Sequence, residues 1–116
     1  MEIKIVKDSI SRQELLELAR EGFGDLVKAA VDVEQGIMAV GGELHADEET
    51  FLMEKLASRR ENTWGINIYP EKPPADWIEF DSMINLKPAM GNRSRGVENP
   101  ELREKIRGVV GKLVSE

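Results

Sequence analysis

Apolar and polar positions alternate from the start of the chain. Over 2–7, Ile3 and Ile5 fall on one side and Lys4 and Val6 on the other, which predicts a first strand. Ser11 then reads as a helix N-cap, because Glu14 completes a Ser-x-x-Glu capping box and Ile10 with Leu15 occupies the two hydrophobic-staple positions. The spacing of Leu15, Leu18 and Ala19 predicts a helix over 12–21, ended by a left-handed Gly22. From residue 26 the period becomes two, with Val27, Ala29, Val31 and Val33 facing one way. Glu34-Gln35-Gly36 supplies a turn with positive φ at the glycine. Ile37 to Val40 is continuously apolar and predicts an interior strand covered on both faces, ended by Gly41-Gly42.

The second half repeats this grammar. A helix over 47–58 places Asp47, Glu48 and Glu49 at its positive end and Phe51, Leu52 and Leu56 on its apolar face. Residues 63–69 return to strand spacing, with Trp64, Ile66 and Ile68 opposite Thr63, Gly65, Asn67 and Tyr69. The prolines of 70–74 make a stiff loop. A strand over 77–87 follows, with Ile78, Phe80, Ser82, Ile84 and Leu86 inward and Glu79, Asp81, Met83, Asn85 and Lys87 on its other side. Residues 90–98 show neither period. Asn99-Pro100 caps a last helix carrying Leu102, Ile106, Val109, Val110 and Leu113. The order is βαββαββα: one α+β domain, 1–116, with a mostly antiparallel sheet of about five strands and three helices covering one of its faces.

Composition narrows the functional classes. The 116 residues contain no cysteine and one histidine, which removes disulfides, thiolate metal centres and a multi-histidine site, so no cofactor or metal is assigned. No apolar run reaches the roughly 18 residues of a membrane helix, and nothing at the N-terminus resembles a signal peptide. A cytoplasmic protein without membrane contact is the expectation. The net charge of -6 argues against broad coating of DNA. Nine basic and eighteen acidic residues precede Met83, whereas seven basic and four acidic ones occupy the remainder. One compact anion site therefore survives the whole-chain acidity, as does charge pairing within the fold or across a homodimer.

The most distinctive polar segment is Gly91-Asn92-Arg93-Ser94-Arg95-Gly96. Two guanidinium groups, a hydroxyl, an amide and glycine N–H groups are what a phosphate or carboxylate site uses, although the spacing fits no P-loop or dinucleotide fingerprint. Lys87 lies upstream, and Arg103 and Arg107 share a face of the following helix. A second constellation comes from pairing 63–69 with 77–87, which displays Asn67, Tyr69, Glu79, Asp81 and Asn85. Carboxylates two apart on a strand suit acid–base work or a hard cation. His45, flanked by Glu43 and Asp47, is a third candidate, and Ser94 is the nucleophile it would need; the sequence brings neither to the other. Trp64, Tyr69 and Trp77 gather near one hairpin, Trp64 in the core and the other two on the polar face or edge.

Gly36-Ile37-Met38-Ala39-Val40-Gly41-Gly42-Glu43-Leu44-His45, Trp64-Gly65-Ile66-Asn67, Ile84-Asn85 and Gly91-Asn92-Arg93-Ser94 together resemble a family of small uncharacterised prokaryotic proteins classed as a domain of unknown function. The resemblance runs over nearly the whole chain. It implies a stand-alone cytoplasmic protein and carries no activity or catalytic residue with it.

The expectation is a small binding or regulatory protein. Its surface joins Asn67, Asp81 and Asn85 to Asn92, Arg93, Ser94 and Arg95, and its partner is an anionic small molecule or RNA phosphate. Two alternatives stand beside it. One is a phosphodiester-directed hydrolase or small nuclease using Arg93, Arg95 and His45 or Asp81. The other is a homodimer with complementary charges and no small ligand.

Overall fold

The computed structural model describes residues 2–116. In chain order the elements are β1 (Lys4–Val6), β2 (Ile10–Ser11), α1 (Arg12–Glu21), β3 (Val27–Asp32), β4 (Ile37–Val40), α2 (His45–Leu56), β5 (Thr63–Ile68), β6 (Ile78–Glu79), α3 (Pro100–Leu113) and β7 (Val114–Ser115). Short 3-10 turns occupy Arg60–Asn62, Met83–Asn85 and Pro88–Met90. The five-stranded sheet has the order β1-β4-β3-β5-β6, antiparallel throughout, and β2 and β7 form a separate parallel pair. The α+β class, three helices and antiparallel sheet match the expectation.

Local chemistry explains the ends of the elements. Ser11 accepts a hydrogen bond from the Glu14 N–H at 3.1 Å, and Asn99 accepts one from Glu101 at 2.9 Å ahead of Pro100. The β3–β4 hairpin turns through Gly36 at φ 69°, while Asp32 accepts the N–H groups of Glu34 and Gln35. Gly22 is not left-handed as expected: it lies at φ -104°, and Gly24, at φ 101°, makes the reversal and donates to the Ala19 carbonyl. Helix α2 starts two residues earlier than expected, at His45, and ends at a left-handed Ala57.

The helices do not share one face. Leu15 and Ala19 of α1 and Ile106, Val110 and Leu113 of α3 pack on Val27, Ala29, Val31, Trp64, Ile66 and Ile68. Leu52 of α2 packs on Ala30, Ile37 and Ala39 of the opposite face. The apolar run in β4 requires this arrangement, since Ile37, Met38, Ala39 and Val40 are all buried and need cover on both sides. Burying Ile37, Met38 and Val40 contributes about 1.5–3 kcal/mol each.

The largest departure from the periodicity lies in 77–87. Only Ile78 and Glu79 pair with β5, opposite Ile68 and Asn67. The chain then leaves the sheet, and Ser82 caps the turn Met83–Asn85 by accepting the Ile84 N–H at 3.2 Å. Asn85, expected on the polar face, is fully buried, and Leu86, expected inward, is exposed. Asn85 completes the ladder with its side chain: Oδ1 accepts the Gly65 N–H at 2.8 Å and Nδ2 donates to the Gly65 carbonyl at 2.9 Å. One side-chain amide thus takes the place of a strand peptide at the sheet edge. Trp77 is core and not edge, at 5% exposure.

Candidate functional site

A row of side chains crosses the α2 face of the sheet. The register places Lys28 of β3 opposite Asn67 of β5, and Asn67 opposite Glu79 of β6. Two residues along, on the same face, Ala30 pairs with Gly65. These small residues admit the N-terminal end of α2: a Cβ added at Gly65 would overlap Ser82 and stand 3.1 Å from His45 Cδ2. Because the chain leaves the sheet after Glu79, no further strand closes this corner. The result is a cleft of about 430 Å³ walled by Leu44 and His45 on one side and by Asp81, Ser82, Met83 and Arg95 on the other, with Lys28 and Asn67 between them. Leu44 and Met83 keep 55% and 61% of their surface exposed at this cleft.

His45 is the buried titratable group of the cleft. Its Nε2 lies 2.9 Å from the Ile66 carbonyl, so that nitrogen carries the proton and donates. Burial pushes the imidazole below the ordinary histidine range. The Ile66 carbonyl opposes this, the Lys28 charge deepens it, and the Asn67 amide and Asp81 carboxylate pull it back. The neutral ring therefore leaves Nδ1 as an unprotonated acceptor. Asn67 donates from Nδ2 to Glu79 at 2.8 Å, while its buried Oδ1 has no hydrogen-bond donor among the described residues. Such an oxygen costs about 1–3 kcal/mol when unmet. Tyr69 donates to the same Glu79 oxygen at 3.1 Å. Arg95 pairs with Asp81 at 2.8 Å on the exposed rim, and among the described residues Lys28 has no ion-pair partner.

The seven residues expected to form one surface divide into three groups. Asn67, Asp81 and Arg95 line the cleft. Asn85 and Asn92 are buried pins: Asn92 Nδ2 donates to the carbonyls of Asn85, Ser94 and Gly96, and its Oδ1 accepts the Glu98 N–H at 2.9 Å. Arg93 and Ser94 sit on the outer loop and do not line the cleft. That loop does have anion-site geometry, but the chain's own Glu98 occupies it. The Arg93 N–H donates to Glu98 Oε2 at 2.8 Å, and with Ser94 it holds the Glu98 carboxyl below its usual range. The glycine amides expected to be open are also taken: Gly91 donates to Pro88 and Gly96 to the Ser94 hydroxyl. Arg103 is spent on the Val97 and Glu98 carbonyls, Arg107 on Glu104, and Lys87 is buried with its ammonium on the Ile84 carbonyl.

Three contributors were missed in the sequence. Lys28 was legible, since the alternation over 27–33 puts it on the face opposite Val27 and Ala29; what the sequence does not show is that α2 covers that face. Ser82 and Gly65 carry no signal of their own, because their roles come from packing across β5. Among the described residues no three His, Asp or Glu side chains are grouped to hold a metal ion. Among the same residues no helix is long and apolar enough to cross a membrane.

Fold and cleft together define a small α+β protein with one polar–apolar recess at an unfinished sheet corner. The chain belongs to the DUF5674 family, proteins of unknown function, whose family model matches residues 4–113. No curated protein and no solved structure matches it.

Proposed function

We propose that the protein is a small-molecule binding protein and that its ligand enters the cleft between the start of α2 and the segment 79–84. The observation that carries this is the company His45 keeps. A neutral imidazole with a free Nδ1 lines the same recess as a donorless buried amide oxygen, an unpaired lysine and the exposed apolar side chains of Leu44 and Met83. Polar groups that can be satisfied only from outside, next to apolar surface left uncovered, are the features of a recognition site. The proposed anion contact thus moves from the Arg93–Ser94 part of the loop, filled by Glu98, to Lys28 and to Arg95 on the cleft side of that loop. A fragment library titrated into the labelled protein tests this. Binding at the cleft shifts the amides of Lys28, His45, Asn67 and Asp81, and a library that shifts none of them refutes it.

One observation favours a second reading, phosphodiester hydrolysis. The structure brings His45 to the Asp81 wall and to Arg95. There Nδ1 can take a proton from water while Arg95 or Lys28 faces the phosphate. Arg93 has no part in this version, because it does not line the cleft. Turnover of bis(p-nitrophenyl) phosphate that disappears in His45→Gln supports it, and a rate equal to buffer for the wild type rejects it.

A further inference from the structure

We propose that the ligand of this cleft is a small apolar α-amino acid, or a molecule carrying the same adjacent ammonium and carboxylate; this rests on the cleft being a binding site. The free hydrogen-bonding capacity of the recess is asymmetric. On one side are three acceptors without donors among the described residues: Asn67 Oδ1, His45 Nδ1 and the Asp81 oxygen not engaged by Arg95. A primary ammonium has three N–H donors and no acceptor. On the other side is one unpaired cation, Lys28, whose ammonium stands 5.0 Å from the Phe23 ring centroid and touches no carboxylate among the described residues.

Lys28 and Asp81 line the same recess as His45, so a positive and a negative group face one cavity. A simple anion would meet Lys28 and leave the acceptors unmet. A simple amine would meet the acceptors and leave Lys28 unpaired. A zwitterion satisfies both. Leu26, Leu44, Met83 and Ile84 line the remaining wall and suit a branched aliphatic side chain. The cleft volume, about 430 Å³, admits a ligand of this size.

The test uses three probes with the same hydrocarbon tail: leucine, 4-methylpentanoate, which lacks the ammonium, and 3-methylbutylamine, which lacks the carboxylate. Each is titrated into the full chain and followed by amide chemical shifts. Leucine is expected to bind at least about tenfold more tightly than either truncated probe, as expected for the loss of a charge-assisted contact. Lys28→Met should weaken leucine and 4-methylpentanoate and spare the amine. Asp81→Asn should weaken leucine and the amine and spare the acid. Retained spectral dispersion shows that each variant folds. If 4-methylpentanoate matches leucine, the cleft is an anion site and the zwitterion is wrong, although the binding site stands. If the amine matches it, the role of Lys28 is wrong. If neither these probes nor the fragment library shifts any cleft amide, the binding site itself falls.

Discussion

Asn85→Ala should destabilise the protein severely without removing any group that meets a ligand. Asn85 has 0% of its surface exposed, and its side chain makes three hydrogen bonds, two to Gly65 and one to the Arg95 carbonyl at 2.9 Å. Arg95 retains the Ser82 N–H at 2.9 Å after the change, so its carbonyl stays satisfied. Gly65 does not. Its N–H and C=O point the same way from an antiparallel strand, toward the side where β6 has already ended, and no backbone partner stands there. Two orphaned buried groups at about 1–3 kcal/mol each give a loss of about 4 kcal/mol, a large share of a domain stability of about 5–15 kcal/mol. With a urea slope of about 2 kcal/mol/M, the midpoint falls by about 2 M. Asn85→Asp should be at least as damaging, because a carboxylate keeps the Gly65 N–H but turns both donated bonds into repulsions. Equilibrium urea unfolding followed by tryptophan fluorescence measures both. A midpoint shift below about 0.5 M for Asn85→Ala would mean that water reaches Gly65 and that the amide does not stand in for a strand.

Glu98→Ala should empty the 91–96 loop, so that inorganic phosphate shifts the Arg93 and Ser94 amides in the variant and not in the wild type; shifts of equal size in both proteins would show that Glu98 does not block the loop. The His45 imidazole should titrate below about pH 6.5 by proton NMR, because burial lowers it. Its folded value being the lower one, the associated stability is complete above the unfolded value and declines as pH falls through the folded one; a midpoint at or above 6.5 contradicts the buried neutral ring. Glu48 is the opposite case. Burial raises its carboxyl well above the usual range against the Gly42 N–H and Lys28, and Oε1 has no partner. The stability it allows is complete below the unfolded value and lost as pH rises through the folded one, so Glu48→Gln should gain over the wild type at pH 8 more than at pH 5 in thermal unfolding, and equal differences at both pH values reject the assignment. Gly65→Ala should cost about 1–3 kcal/mol or more by displacing Ser82 and His45, and unchanged His45 ring shifts in that variant would show that the helix end does not rest on the strand.

Much of the fold was legible because its signals are local. The Ser11 cap, Asn99-Pro100 and the Gly36 turn each depend on residues within four positions, and each forms as expected, with the Glu14 carboxylate of the expected box turned to Lys4. The 77–87 segment was misread because period-two alternation is necessary for a strand without being sufficient. Ile78, Phe80, Ile84 and Leu86 have the spacing, but the Ser82 hydroxyl offers the Ile84 N–H an acceptor that competes with the ladder. The site was only half legible for the same kind of reason. That 91–96 could hold an anion followed from its residue types, whereas its occupation by Glu98 depends on a turn fixed by Asn92 contacts to three carbonyls. The approach of His45 to Asp81 depends on which face α2 covers, and no residue near His45 encodes that.

The cleft exists because two irregularities coincide. Had 77–87 continued as a strand, its backbone would have filled the edge of β5 and its polar side chains would have formed a flat, solvated face beside Lys28 and Asn67. Had Gly65 carried a side chain, the start of α2 would have been held away from β5, leaving His45 exposed and ordinary in its titration. With the strand cut short at Glu79 and the helix end seated on Gly65, the same residues instead enclose a recess. Asn85 repays the missing ladder with one amide, and Ser82 turns the chain so that Asp81, Met83 and the Arg95 rim face the helix end. The strand break requires a buried amide to repair it, and the turn that replaces the strand packs Ser82 on Gly65 and Ile84 on the Leu52 cluster. What the turn leaves open is the concavity, which is why the corner at Gly65, with Arg95 at its rim, is where we propose to seek a ligand.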